Sequence, residues 1–311
     1  MSESDERTVA VIGAGTIGLG WISLFLARGL RVRVNSRRPD AERIVRESLE
    51  LHAPFLPPGS ADPKGFDRRL EFEPEVERAV DGVDVVQENA PENAELKQEL
   101  FARIGRAAPP QALLLSSTST LSPDVMGERM ADSSRLVVGH PFNPPHVVPL
   151  VEVVGGERTA PEAITRTVEF YRSVGKVPIV LRKPILAFAA NRLQSALLQE
   201  SIHLVREGVV TLEELDSVVT HSIGLRWASI GPFQAFHLGG GPGGLRQWLS
   251  TLGADLEQGW QLLGRPRMDE QTIASLTAQA EQAFGDSSYE ELVRARDSRQ
   301  TAVLRALAAV D

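Results

Sequence analysis

The chain predicts an α/β Rossmann-type dinucleotide-binding domain followed by an all-α C-terminal domain, on three observations. A glycine-rich turn, Gly13-Ala14-Gly15-Thr16-Ile17-Gly18, stands between an apolar run Val9–Ile12 and a helical pattern over Ile17–Leu26. This is the strand–turn–helix setting in which G-x-G-x-x-G spacing carries weight. Strand-like and helix-like runs then alternate up to residue 184, the pattern of a largely parallel sheet. Beyond Pro184 strand patterning stops and helical segments alone remain, so the domains are expected at 1–184 and 185–311.

In the first turn Gly13 permits the tight bend, Gly15 lets backbone approach a pyrophosphate, and Gly18 lets the helix pack close to the strand. Thr16 and Ile17 open a helix whose free N–H groups and positive dipole end face the phosphates. Gly29 stops that helix, and Leu30–Val34 reads as the second strand. Its end normally carries an acid that binds the adenosine ribose. Here stand Asn35, Ser36, Arg37 and Arg38: a hydroxyl and two guanidiniums, with no carboxylate, which suit a 2′-phosphate. NADP(H) is therefore expected over NAD(H); a solvated basic loop is the alternative.

A helix over Asp40–Leu51 and a Pro/Gly-rich connector through residue 65 come next, and Glu71–Val80 leads into a third strand, Val83–Gln87. Helix Ala94–Ile104 and a fourth strand, Ala112–Leu115, end on the hydroxyl cluster Ser116–Thr120. Open α/β sheets bind their ligands at such carboxyl ends of strands.

The stretch Leu136–Val154 places two β-branched runs, Leu136–Gly139 and Leu150–Val154, around a proline-dense turn. His140 ends the first and Glu152 lies inside the second. A carboxylate within an apolar strand costs several kcal/mol unless paired, and His140 is the partner at hand. A His held by a buried carboxylate is a general base of fixed tautomer; a structural hydrogen bond at a strand end reads equally well from these residues alone.

A helix over Pro161–Gly175 and a strand over Val177–Leu181 complete the first half. The second half holds a long helix, Ile185–Arg206, with the polar Asn191 on it. A capping-box start follows at Thr211–Glu214, then a glycine-rich loop at 239–244 and an amphipathic helix, Tyr289–Val310.

With 311 residues, no cysteine and a net charge of −8, the chain excludes disulfides and thiolate metal sites and argues against a nucleic-acid or anionic-membrane surface. Six histidines without close-paired spacing argue against any metal site. The polar start MSESDERT and the lack of a long apolar run make the cytoplasm the expected compartment.

Taken together, the motifs VIGAGTIG, QENAPEN, SSTSTL, GHPFNPPHVVPLVEVV and NRLQ resemble the L-3-hydroxyacyl-CoA dehydrogenase superfamily along nearly the full length. GLRWASIGPFQAFHL and the single-copy helical domain are similar to its short branch around lambda-crystallin (L-gulonate 3-dehydrogenase) and carnitine 3-dehydrogenase. The resemblance implies that His140 is the catalytic base, Glu152 its partner, and Ser119 and Asn191 the residues that hold the substrate oxygen. It implies Glu92 and Lys97 on the cofactor side, and Ala90, Ser117 and Asn143 near the nicotinamide ribose and ring. Substrate selection is assigned to Arg226, Trp227, Phe236 and His237, an arginine suiting a carboxylate and an aromatic ring a quaternary ammonium. The implied reaction is hydride transfer between a 3-hydroxy acid and a nicotinamide. Residues 40–70 look too short for the helical arm that grips coenzyme A, which favours a small free hydroxy acid over a thioester. A 3-hydroxyacyl thioester dehydrogenase and a non-catalytic, crystallin-like nucleotide binder are the alternatives. Ala187 replaces a frequent family glycine. The apolar helices after Pro184, together with the dimeric relatives, lead us to expect a homodimer formed through the helical domain.

Overall fold

The computed structural model describes residues 7–57, 60 and 63–310. The polar start and part of the connector after His52 lie outside the described residues. Contacts divide the chain between Ala189 and Ala190, a few residues beyond the boundary expected at 184.

In the first unit, β1 (Thr8–Ile12), α1 (Thr16–Ala27), β2 (Arg31–Asn35) and α2 (Ala41–His52) are followed by two short 3₁₀ turns. Then come β3 (Leu70–Phe72), α3 (Val76–Val80), β4 (Val85–Glu88), α4 (Ala94–Ala107), β5 (Leu113–Ser116) and α5 (Pro123–Met126). The unit closes with β6 (Leu136–Pro141), β7 (Leu150–Val154), α6 (Pro161–Ser173) and β8 (Val177–Val180). Among the described residues these strands form one eight-stranded sheet ordered β3-β2-β1-β4-β5-β6-β7-β8. Every neighbouring pair is parallel except β6 and β7, which run antiparallel and set His140 directly opposite Glu152. The order reverses between β1 and β4, and the glycine turn stands at that switch point, where such sheets bind ligands.

Strands buried on both faces explain the continuous runs of Val and Leu. One apolar layer, rich in α1 and α6 side chains, centres on Trp21, Phe25, Phe170 and Tyr171; Trp21 stacks on Phe25 at 5.2 Å and on Tyr171 at 5.5 Å. The other lies under α3 and α4 and holds Phe101, Ile104, Met126 and Phe188.

Two expectations need correction. The strand Leu70–Phe72 was not expected; it is a three-residue edge strand paired with Val32–Val34. The long helix α7 begins at Phe188, not Ile185, because Ala187 and Phe188 take positive φ values of 63° and 48°. The αL region disfavours any residue with a Cβ, which is the physical reason a glycine suits position 187.

The second unit continues α7 (Phe188–Arg206) with α8 (Leu212–Thr220), α9 (Ile223–Ser229), α10 (Pro232–Gly239), α11 (Gly244–Leu262), α12 (Glu270–Phe284) and α13 (Tyr289–Ala308). Thr211 and Glu214 form the capping box at the start of α8, and Ser288 and Glu291 a second one before α13. Many large apolar side chains of these helices are exposed, among them Leu193, Trp260 and Leu262.

Candidate active site

The glycine turn has the geometry a dinucleotide needs. Gly13 has φ +97°, and a Cβ there would lie 2.8 Å from the Asn89 carbonyl oxygen. A Cβ on Gly18 would lie 1.9 Å from the Gly13 carbonyl oxygen, so α1 can approach β1 only with glycine at that position. Gly15 faces open space and leaves α1 without a side-chain cap, so the first-turn N–H groups of Thr16, Ile17 and Gly18 remain available to phosphate. In front of the turn lies a cleft of about 870 Å³ lined by Gly13, Gly15, Asn35–Arg38 and Ala90, among others. These residues fit a nicotinamide dinucleotide, with the adenosine end against 35–38.

At that end the four predicted residues differ in role. Asn35 is buried, and its Nδ2 donates to the carbonyls of Glu73 and Pro74, each at 2.9 Å. Its amide hydrogens are thus committed to the frame. The Ser36 hydroxyl accepts from the Arg38 N–H at 3.2 Å and keeps its own hydrogen to donate. Arg38 pairs with Asp40 at 3.2 Å, whereas the exposed Arg37 makes no side-chain bond among the described residues.

Beneath the cleft two of the residues expected on the cofactor side are bonded within the chain. Lys97 is buried, with Nζ 2.6 Å from Glu88 Oε1 and 3.0 Å from the Ala90 carbonyl. Glu88 also takes the Ser116 hydroxyl and the Ala90 N–H. Breaking such a buried pair costs about 3–5 kcal/mol, so Lys97 shapes the 88–90 bend from below. Nor has Ser117 a bond to spare. Its oxygen accepts from Trp21 Nε1 at 3.0 Å and Gln87 Nε2 at 2.9 Å, and its hydrogen goes to Asn89 Oδ1 at 2.7 Å. One donor and two lone pairs are the whole capacity of a hydroxyl. Gln87 in turn accepts from the Tyr171 hydroxyl at 2.8 Å, and that hydroxyl fills the space of the side chain missing at Gly139.

Ser119 lies two residues beyond Ser117, and its hydroxyl is unbonded among the described residues while Glu92 accepts its N–H at 3.1 Å. His140 and Glu152 are both buried, with Nδ1 2.9 Å from Oε2; Glu152 Oε1 accepts the Ala189 N–H at 2.8 Å. This fixes the hydrogen on Nδ1 and leaves Nε2 as a lone pair. Phe142 and Phe188, which the sequence reading passed over, flank the imidazole at 5.7 and 5.3 Å. Asn143 is exposed in the turn between β6 and β7, ahead of a cis peptide to Pro144. That turn is tied down by the buried Lys176, which donates to the carbonyls of Pro145 and Val148.

In the second unit Asn191 lies in the first turn of α7. Arg226 and Trp227 are exposed on α9, and Phe236 and His237 on α10. Phe236 packs against Trp248 at 4.4 Å, and His237 Nδ1 accepts the Leu245 N–H at 3.2 Å. Trp248 was not among the residues expected there.

A dinucleotide cleft at the switch point, with an imidazole–carboxylate pair on the same sheet, defines the class: a nicotinamide-dependent dehydrogenase acting on a CH–OH group. The chain belongs to the 3-hydroxyacyl-CoA dehydrogenase family: the NAD binding domain model matches residues 8–184 and the C-terminal domain model residues 188–278. It is 42% identical over 306 residues to an L-carnitine dehydrogenase of Streptomyces coelicolor, covering 98% of this chain and 96% of that one. To an L-carnitine dehydrogenase of Burkholderia mallei it is 41% identical, covering 97% and 94%. A solved NAD⁺-dependent 5-formyl-3-hydroxy-2-methylpyridine 4-carboxylic acid 5-dehydrogenase superposes with a TM-score of 0.81 at 27% identity, covering 97% of this chain and 99% of that one. The chain is an NAD(P)-dependent 3-hydroxy acid dehydrogenase.

Proposed function

We propose that the substrate is a small free 3-hydroxy acid of the carnitine type and that His140 is the acid–base group. The observation that carries the reaction is the buried His140–Glu152 pair, in which a neutral imidazole donates from Nδ1 to the carboxylate and keeps its lone pair on Nε2. The substrate class is supported by full-length relatives named L-carnitine dehydrogenase. It is supported too by the short 3₁₀ turns between α2 and β3, where the described residues form no long helical arm.

A bound nicotinamide supplies the two-electron acceptor. His140 Nε2 takes the hydroxyl proton as hydride leaves the carbinol carbon, and Glu152 stabilises the imidazolium. Ser119 Oγ and Asn191 hold the oxygen as it becomes a carbonyl. Arg226, Trp227, Phe236 and His237 select the remote end, with carboxylate and ammonium as the groups they suit. Glu92, Ala90 and Asn143 belong to the cofactor's nicotinamide side.

NADP(H) is the favoured cofactor in this reading. Support comes from the missing carboxylate at residues 35–38, the spare hydrogen of Ser36 and an Arg37 without a side-chain partner among the described residues. A homodimer through the helical unit is supported by its exposed apolar side chains, and large obligate interfaces resemble a core cut in half. No helix of the described residues is long and apolar enough to cross a membrane, and the cytoplasm is the compartment proposed.

The test is a cofactor-reduction screen of L-carnitine, free hydroxy acids and 3-hydroxyacyl thioesters with each cofactor, run on wild type, His140→Ala and Arg37→Ala. The reading requires carnitine-type acids to outperform thioesters and His140→Ala to lose about 10²–10⁴ in kcat. It also requires Arg37→Ala to lower the NADP/NAD ratio of kcat/KM. Full activity in His140→Ala, or a preference for thioesters, overturns it.

A further inference from the structure

One oxygen of Glu92 gathers an unusual number of donors. Oε1 accepts the hydroxyls of Thr118 and of Thr120, the latter at 2.7 Å, and the backbone N–H groups of Ser119 and Thr120 at 3.1 and 3.0 Å. Its other oxygen lies 3.8 Å from Lys97 Nζ, which Glu88 and the Ala90 carbonyl already fix. Glu92 is thereby anchored from below and grips the 118–120 loop from the front. Partial burial works to raise its pKa, but the Thr118 and Thr120 hydroxyls, the Lys97 charge and the Thr120 N–H outweigh this and hold the carboxyl below its ordinary value. Within the same loop the Ser119 hydroxyl has no partner among the described residues. Its backbone is pinned and its side chain is left for something outside the chain.

We infer that Glu92 is a positioning residue for Ser119: it sets the loop so that Ser119 Oγ meets the substrate oxygen, and it acts on turnover through that hydroxyl. The inference rests on the proposed role of Ser119 and deepens it. It adds to the cofactor-side place proposed for Glu92: Oε1, which already accepts four hydrogen bonds, serves the loop, and Oε2 is the oxygen left for a ribose hydroxyl. A carboxamide can supply the same acceptor oxygen without the charge, so glutamine should keep the loop in place. A displacement of about 1 Å in a reacting group costs on the order of 10²-fold in rate.

The experiment is a double-mutant cycle on the full-length enzyme, reading kcat, KM and the cofactor dissociation constant. Glu92→Ala is expected to lower kcat on the order of 10²-fold, beyond whatever the loss of Oε2 does to the cofactor constant. Glu92→Gln should recover most of that loss. In a Ser119→Ala background, Glu92→Ala should add little further loss. Thr120→Val, which deletes one of the four donors, is the milder variant if Glu92→Ala does not fold, and its loss should also vanish in the Ser119→Ala background. Ser119→Ala with wild-type kcat overturns the proposed Ser119 contact, and the inference with it. A Ser119→Ala loss with additive effects at Glu92, a glutamine as damaging as alanine, or a loss confined to cofactor affinity overturns the inference alone.

Discussion

Glutamine at position 152 would keep the length of the side chain and remove its charge, which tests what the carboxylate does for His140. Both Glu152 oxygens are engaged, Oε2 with His140 Nδ1 at 2.9 Å and Oε1 with the Ala189 N–H at 2.8 Å. The Ala189 N–H can only donate. Either the glutamine carbonyl turns to it, or that hydrogen faces an NH₂ group and loses its acceptor, at about 1–3 kcal/mol. With the carbonyl so placed, the NH₂ points at Nδ1 and forces the imidazole proton onto Nε2. That tautomer has no lone pair with which to accept the substrate proton. The same substitution removes the charge-assisted bond to the imidazolium, worth about 1.5–3 kcal/mol. The two effects sum to about 2.5–6 kcal/mol, and at about 1.4 kcal/mol per decade this is roughly 10² to 10⁴ in kcat. Initial rates of nicotinamide reduction at saturating substrate and cofactor give kcat, and cofactor titration gives the dissociation constant. The dissociation constant should hardly move, because the glycine turn proposed to hold the phosphates is Gly13–Gly18. A kcat equal to wild type in Glu152→Gln would refute the tautomer argument.

Asn35→Asp is expected to destabilise the fold by about 2–6 kcal/mol, since two bonds are lost and two carbonyls are left facing a carboxylate; an unchanged denaturant midpoint would contradict the bonds to Glu73 and Pro74. Burial, with Arg28 adding repulsion, lowers Lys176 to about 7. The native state then binds fewer protons than the unfolded one between about pH 7 and 10.4, so stability rises with pH across that window, by up to about 1.4 kcal/mol per unit. This gain is lost as pH falls back towards 7, and Lys176→Met should abolish the slope; parallel pH dependences of the two denaturation midpoints would sink the assignment. Ala187→Val should cost about 1–3 kcal/mol at its αL backbone while Ala187→Gly does not, and equal midpoints for the two variants would contradict φ +63°.

The parts legible in the sequence are those in which local pattern and tertiary role agree. The glycine turn, the His140 and Glu152 strands and the Thr211 capping box each announce themselves through spacing. Leu70–Phe72 did not, because three residues are too few for alternation to register, and the backbone of β2 supplies the order. Ile185-Leu186-Ala187 reads as the start of a helix until the positive φ values at 187 and 188 stop it. Lys97 left a signal that went unused: with Leu100, Phe101 and Ile104 it completes an i, i+3, i+4, i+7 stripe, and all four are buried. Ser117 left none, since sequence cannot count how many partners a hydroxyl already has. The site was legible as residue types, but which of them face outward depended on hydrogen-bond saturation.

Gly139 precedes His140, and the space it vacates is filled by the Tyr171 hydroxyl, from which hydrogen bonds run through Gln87 and Ser117 to Trp21 and Asn89. In a saturation-mutagenesis map scored by growth, this chain of side chains will register alongside His140. Any Cβ at Gly139 must displace Tyr171, and each partner then strands another buried polar atom. None of these side chains contributes an atom to the proposed chemistry. Intolerance to mutation would thus outline a region larger than the reaction centre and extending away from it. Only a screen that reads protein abundance separately from turnover would recover the boundary between the two.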